Sequence, residues 1–501
     1  MEKNILIGIG GSGLKVIEAT LIALMSGFRP SNMADNLTIC CIDIDIHNPK
    51  MADIQTLVSK YNDMSRTLGY QGHVRINENC RFINVGGVAE PNLRQILDGG
   101  RTDTAGPIAN AIFKQSQKDL ILEDGTKGDA QLGSYLIARN IASNNEFDVL
   151  IDAGDATAGN NVRVCITGSI FGGSGSSGMP TVYKALRNKI RSFTAANTMG
   201  DNKMGLVLML PYFQYGTVSD DTYAVQTNEH ALRSKVALQY YAHELTGNYK
   251  PEYTSYIGGD GRAMKLIPYT NDGEVVVDHH GAMKLVYKDP SVGGVTQNNP
   301  AMPEELYAAL SCLHFLSGDG DAHPEYVVAE NVDSFSVHRM PYSAQFARKF
   351  QAFNRFAMVY DYYFRRRIYD PDNYMREMLA SPLQHYYLTA KHFIDTSIWQ
   401  GSPVFKPFDE CIKIITNWFN HMCYNSTSPN VDKLDSSNTF VGLEPVVNRI
   451  PYNIKAHGRG SHPVFHYIIS EMQRRIPGDA QGVQRDMRFI KNLYEVCESS
   501  F

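Results

Sequence analysis

Residues 4–9 (NILIGI) form a continuous apolar run of strand length. Gly10-Gly11-Ser12-Gly13 follows, and then LKVIEATLIALMSG, where apolar residues recur at the three-to-four spacing of a helix. A second run, LTICCIDIDI at 37–46, is rich in β-branched residues and ends in acidic ones. Strand, glycine turn, helix and strand make a βαβ unit, whose two strands lie parallel because the crossover returns the chain to the same end of the sheet. From 47 to 105 the pattern loosens, with NVGGVAEPN and LDGGRTD as turn-rich punctuation around a short helical stretch, NLRQIL. A loop-rich insertion is expected there.

Regularity returns with a helix over 106–118, a glycine-rich loop GTKGDAQLG at 125–133, a helix SYLIARNIAS and a buried strand RVCITGSI at 163–170, directly followed by FGGSGSSGMP. TVYKALRNKIRSF (181–193) reads as helix, MGLVLML (204–210) as a buried strand, and TNEHALRSKVALQYYAHEL (227–245) as a long helix. The alternation predicts an α/β fold with a parallel sheet over 1–245. Over 246–300, Gly-Gly-Asp-Gly and Asn-Asp-Gly turns separate strand-like EVVVD and MKLVY, so a β-rich insertion of hairpins is expected. Helical periods then dominate 301–501, from PEELYAALSCLHFL to DMRFIKNLYEVCES.

Composition narrows the function. With 47 Lys+Arg against 52 Asp+Glu and a net charge of −5, the 501-residue chain does not suit a nucleic-acid binder held by bulk positive charge. Its 43% hydrophobic content excludes an intrinsically disordered chain. Runs such as GLVLMLPYF fall far short of the roughly 18–20 apolar residues that span a bilayer, so no integral membrane segment is expected. The opening Met1-Glu2-Lys3-Asn4 has no basic leader or long apolar region, and the expected location is the cytoplasm. Eight scattered cysteines without a CxxC pair are expected to be reduced, with neither disulfide nor zinc site.

A glycine turn between strand and helix lets backbone N–H groups approach phosphate oxygens, and the helix N-terminus adds partial positive charge. Gly8, Gly10 and Gly13 satisfy GxGxxG, which alone fits a Rossmann dinucleotide site, another nucleotide site or a tight turn. In the Rossmann reading Asp43 or Asp45, at the end of the second strand, contacts a ribose. The second cluster, Gly172-Gly173-Ser174-Gly175-Ser176-Ser177-Gly178, again lies between a buried strand and an amphipathic helix. A Rossmann site uses one such loop, whereas two, with a third glycine turn at 125–133, suit a di- or triphosphate. No GxxxxGK[ST] is present, which excludes a P-loop.

GSIFGGSGSSG resembles the tubulin and FtsZ signature GGGTGSG, with Ser174 where the family has threonine. The order of elements agrees over roughly 4–245, and the pattern is nearest the divergent prokaryotic members. The resemblance implies a GTP/GDP site with Mg²⁺. Gly10, Gly11, Ser12 and Gly13 and then Gly172, Gly173, Ser174, Gly175 and Ser176 would hold phosphates. Asp43 and Asp45 form the acidic second loop, with Asp45 near Mg²⁺. GTKGDAQLGSY, similar to FtsZ's GAGANPEVGR, puts Gly128 and Ala130 near the terminal phosphate, and Asn228 in QTNEHALRSK matches the base-reading position. It further implies self-association into filaments, with GTP hydrolysis completed by acidic residues from a neighbouring subunit. No NxDxxD appears, and the nearest candidates are Glu304 and Glu305, after Gln297-Asn298-Asn299-Pro300. Pro303-Glu304-Glu305 also reads as an ordinary acidic first helical turn. Two other functions stay open: an NAD- or flavin-dependent Rossmann enzyme using the first loop alone, and a non-hydrolysing tubulin-like scaffold.

The remaining constellations favour plain readings. His279 and His280 are adjacent on a strand and so face opposite ways, and His457, His462 and His466 lack an acidic or cysteine partner at zinc spacing. Arg365-Arg366-Arg367 complements a helix dipole, and the glycine-flanked serines do not complete a GxSxG elbow.

Overall fold

The alternation within the first apolar run sorts its side chains between two cores. In strand β1 (Glu2–Ile9), Ile5, Ile7 and Ile9 enter one core and Leu6 the other, and all four are fully buried. The computed structural model describes residues 2–85, 92–98, 106–123, 125–126, 128–143, 150–151, 160–194, 196–215, 227–258, 265–267, 274–277, 283–286, 301–322, 325–328, 342–365, 401–425, 471–472, 474–475 and 482–499. The further strands of the main sheet are β2 (Asn36–Asp43), β3 (Arg75–Ile76), β4 (Arg81–Asn84), β5 (Asn161–Ser169), β6 (Lys203–Met209), β7 (Tyr253–Ile257) and β8 (Glu325–Val328). They lie in the order β8-β7-β6-β5-β1-β2-β3, with β4 also on β2, and every pairing is parallel.

The strand order reverses at the centre: the chain leaves β1 toward β2 in one direction and β5 toward β6 in the other. Right-handed crossovers then send the two connecting helices to opposite faces. Helix α1 (Gly10–Met25) packs with α2 (Pro49–Leu68) on one face, while α3 (Ala130–Ser143) packs on α4 (Gly173–Phe193) across the sheet. Helix α5 (Thr227–Glu244) reaches the second core through Tyr241. On the first face α6 (Pro303–Leu316) lies against α1, and α7 (Ser343–Val359), α8 (Phe405–Asn425) and α9 (Gly482–Ser499) add an outer layer to the same core. Sandwiched this way, α1 is apolar nearly all round, and its charged Lys15 and Glu18 are buried with it. No helix among the described residues is long and apolar enough to cross a membrane.

Three sequence expectations need correction. The region 47–105 is not simply loop: α2 runs for 20 residues, capped by Asn48 with Pro49 at its first turn and ended by left-handed Gly69. Its buried Ile54, Leu57, Tyr61, Met64 and Leu68 recur at helical spacing. The sheet also does not stop at 245, because β7 and β8 extend it and α6 packs on its core, so the boundaries at 245 and 300 cut through one layered unit. Finally, Gly173–Gly178 is the start of α4 rather than a loop preceding it. The segment Glu274–Val277 does pair antiparallel with Met283–Val286, while Lys265–Ile267 pairs in parallel with Phe213–Tyr215.

Helix α4 carries Pro180 in its interior, and a proline there cannot donate to the carbonyl four residues back. That carbonyl belongs to Ser176, and the buried Tyr241 hydroxyl of α5 donates to it at 2.9 Å instead.

Candidate functional site

The carboxyl ends of β1, β2 and β5 meet where the strand order reverses, the place where open parallel sheets bind ligands. Glycines make the meeting possible. Gly10 turns the chain at φ +71°, and a Cβ on it would stand 3.0 Å from Gly175 N and 3.0 Å from Ser174 Cβ. A Cβ on Gly13 would lie 2.7 Å from Thr167 O, and one on Gly175 only 2.5 Å from Ser169 O. Helices α1 and α4 therefore start side by side, α1 directly from the end of β1 and α4 after the three residues that follow β5.

Both starts lack what helix starts usually have. The residues preceding them, Ile9 and Gly172, make no side-chain cap hydrogen bond, and neither first turn holds an acidic residue. Their first N–H groups, each with the positive end of a helix dipole behind it, are left for water or an anion. Gly11 behaves differently from its neighbours: its backbone is not left-handed, and a Cβ there would find only Asn48 Nδ2, at 3.7 Å. Among the described residues no packing requires glycine at that position.

The third glycine turn closes the crevice from the α4 side. A Cβ on Gly173 would collide with Thr126 Oγ1 and lie 3.1 Å from Gly128 Cα, and one on Gly125 would lie 3.4 Å from Asp45 Cβ. Arg233 of α5 donates to the Gly128 carbonyl, and Asp129 caps α3 by accepting from Leu132 N at 3.0 Å. Gly128 thus belongs to the cluster, and Ala130 is the exposed first residue of α3.

Asp43 ties the acidic segment to both sides. Its Oδ1 accepts from Ser174 Oγ at 3.0 Å and from Ile44 N at 2.7 Å, and its Oδ2 accepts from Asn48 Nδ2 at 2.7 Å. Burial pushes its carboxyl above the usual range, and these hydrogen bonds pull the other way. Asp45 is buried, with Oδ1 accepting from His47 N at 2.9 Å. No three His, Cys, Asp or Glu side chains converge as a metal cage among the described residues. One or two carboxylates, completed by phosphate oxygens and water, is instead how Mg²⁺ is usually held, and Asp45 fits that pattern.

Ser12 and Ser176 lie in the first turns of α1 and α4, and Ser176 Oγ donates to Gly172 O. Asn228 is in the first turn of α5, and its side chain lies outside the described residues, as do Gln297–Pro300, His279, His280, His457, His462 and His466. Arg365 is engaged by Asp361. Glu304 and Glu305 sit in the first turn of α6. Glu305 is fully buried, paired with Lys15, with Oε1 accepting from Tyr212 hydroxyl at 2.7 Å and Oε2 from Met302 N at 2.9 Å. Glu304 is 9% exposed. The acidic helical turn is thus built into the chain's own core, and Glu305 is a correction to its expected delivery across a subunit interface.

Lys15, Tyr212 and Asn48 were not singled out in sequence. Asn48-Pro49 was the one legible signal, since a capping residue before a proline opens a helix.

No protein-family model matches the chain, and no curated protein matches it. Among solved structures, CetZ2 from Haloferax volcanii, described as a GTPgS-bound protofilament, aligns over 66% of this chain with 15% identity and a TM-score of 0.29. The alignment spans 61% of that protein's chain.

Proposed function

We propose that this protein is a tubulin-like, cytoplasmic GTP-binding protein that self-assembles into filaments. The carrying observation is the pair of uncapped, acid-free helix starts of α1 and α4, brought into contact at the reversal point by Gly10 and Gly175. In this reading the N–H groups at 10–13 and 172–176 hold the phosphates, Gly128 and Ala130 border the terminal one, and Asn228 meets the base. Asp45 would hold Mg²⁺, which when bound neutralises phosphate charge. Asp43 holds the start of α4 through Ser174 and keeps the crevice shaped. In the NAD or flavin alternative a ribose at Asp43 would compete with the hydrogen bonds that both its oxygens already accept from the chain, which leaves Asp45 as the acidic contact.

Binding of GTP, ATP and NAD to purified protein, beside Gly11→Ala, tests the reading. A methyl at 11 meets no atom closer than 3.7 Å, so the variant should keep wild-type stability while losing at least about ten-fold in GTP affinity. Binding of NAD in preference to GTP, or GTP affinity untouched by the methyl, would overturn it.

A second reading, nucleotide binding without rapid hydrolysis, is favoured by the commitment of Glu305 to Lys15 and Tyr212. GTP turnover that stays flat as protein concentration rises supports it; turnover that climbs steeply with concentration supports hydrolysis between subunits.

A further inference from the structure

Asn48 does two things that fix its amide. Its Oδ1 accepts from Lys50 N at 3.0 Å, capping α2, and its Nδ2 donates to Asp43 Oδ2 at 2.7 Å. Those partners are chemically distinct, a donor on one side and an acceptor on the other, so the orientation of the carboxamide is set by the network. One N–H of Nδ2 serves Asp43, and the second has no acceptor among the described residues. Among the described residues beyond the first turns of α1, the same nitrogen is the atom that lies within 4 Å of the place a Gly11 Cβ would fill.

An oxygen entering the place a Gly11 Cβ would fill stands 3.7 Å from Nδ2. A shift of about 0.8 Å toward the amide gives ordinary hydrogen-bond distance. We infer that Asn48 is a ligand-binding residue, donating its second N–H to a phosphate oxygen seated over Gly11. The inference rests on the nucleotide reading above and adds a side-chain donor, from the far side of the crevice, to the backbone donors of α1 and α4. Asp43 acts through Asn48 as a positioning residue: its carboxylate holds the amide nitrogen toward the crevice, where an unheld amide could present its oxygen to a phosphate.

Two substitutions separate the cap from the contact. Asn48→Ser keeps a capping oxygen for α2 but cannot reach across to Gly11. Asn48→Asp also caps well, yet replaces the donor by a carboxylate beside Asp43. With GTP and Mg²⁺ as the probe in calorimetric titration, and circular dichroism to establish folding, Asn48→Ser should lose about ten-fold in affinity. Asn48→Asp should lose more, because a negative charge then faces the phosphate. If Asn48→Asp does not fold, Asn48→Ser alone decides. Wild-type affinity for GTP in both folded variants, beside a weakened Gly11→Ala, overturns the role of Asn48 and leaves the nucleotide site standing. Absence of binding of GTP, ATP and NAD to the wild-type protein overturns both.

Discussion

Removing the ammonium of Lys15 should be among the costliest single changes in the molecule. Lys15 and Glu305 form an ion pair with side chains 4% and 0% exposed, and it joins α1 to α6 one turn below the candidate phosphate site. Lys15→Met keeps the length and apolar stem but leaves a buried carboxylate whose remaining partners among the described residues are the Tyr212 hydroxyl and Met302 N. Breaking a buried pair this way costs about 3–5 kcal/mol, a large share of the stability of any domain. The double variant Lys15→Met/Glu305→Gln has no charge to strand. Its amide oxygen can accept from Met302 N and its nitrogen can donate to the Tyr212 hydroxyl, so stability should return to within about 1–2 kcal/mol of wild type. Urea unfolding followed by fluorescence, with midpoints compared at constant slope, measures both. A single variant costing less than about 1 kcal/mol, or a double variant worse than the single, would refute the assignment of the pair as a buried, mutually dependent unit.

Tyr241→Phe leaves the Ser176 carbonyl without the donor that Pro180 also denies it, and should cost about 1–3 kcal/mol; in a Pro180→Ala background the same change should cost measurably less in a double-mutant cycle. Gly13→Ala drives a methyl to 2.7 Å from Thr167 O and should lower the unfolding free energy by about 1–3 kcal/mol, in contrast to the neutral methyl expected at Gly11. Hydrogen bonds from Arg163 hold Asp321 down from 3.8 to about 2, so its contribution is present above pH 3.8 and is lost as pH falls toward 2. With the carboxylate 33% exposed, screening reduces that contribution to about 1 kcal/mol, and Asp321→Asn should trail wild type by a constant amount above pH 5 and converge with it in acid unfolding titrations. Burial pushes the thiols of Cys411 and Cys497 up to about 12 and of Cys80 up to about 11, so a thiol reagent at pH 8 should label these positions slowly in the native protein and rapidly in denaturant.

The parallel α/β core was legible because its strands are short apolar runs flanked by glycine turns, and NILIGI and RVCITGSI became the central pair β1 and β5. The meeting of the first two glycine turns was legible, since each follows a strand and the reversal of strand order brings those ends together, whereas the third follows a helix and only its packing on Gly173 and Asp45 places it there. Helix α2 was missed even though Asn48-Pro49 and its apolar spacing announce it; the glycines further along the region outweighed them. Strand β7, YTSYI, was read with the hairpins around it, because a five-residue alternation carries no information about which sheet will receive it. The fate of Glu305 was invisible for a different reason. An acidic pair behind a proline looks the same whether it faces solvent or a buried lysine some 290 residues away, and only tertiary packing distinguishes the two.

The long reach of the central pairing also bears on how the chain acquires its shape during synthesis. Strand β1 pairs residue by residue with β5, Glu2 against Asn161, and Tyr494 of α9 donates to the carbonyl of Ser26 across 468 positions. At a translation rate of about 5–20 residues per second, the apolar first strand waits on the order of ten to thirty seconds for its partner, and longer for the helix that seals α1. Until then it presents an unpaired hydrophobic edge to the crowded interior around the ribosome. Residues 2–9 are thus a natural holding site for a chaperone, and slowing translation between β2 and β5 should lengthen that dependence.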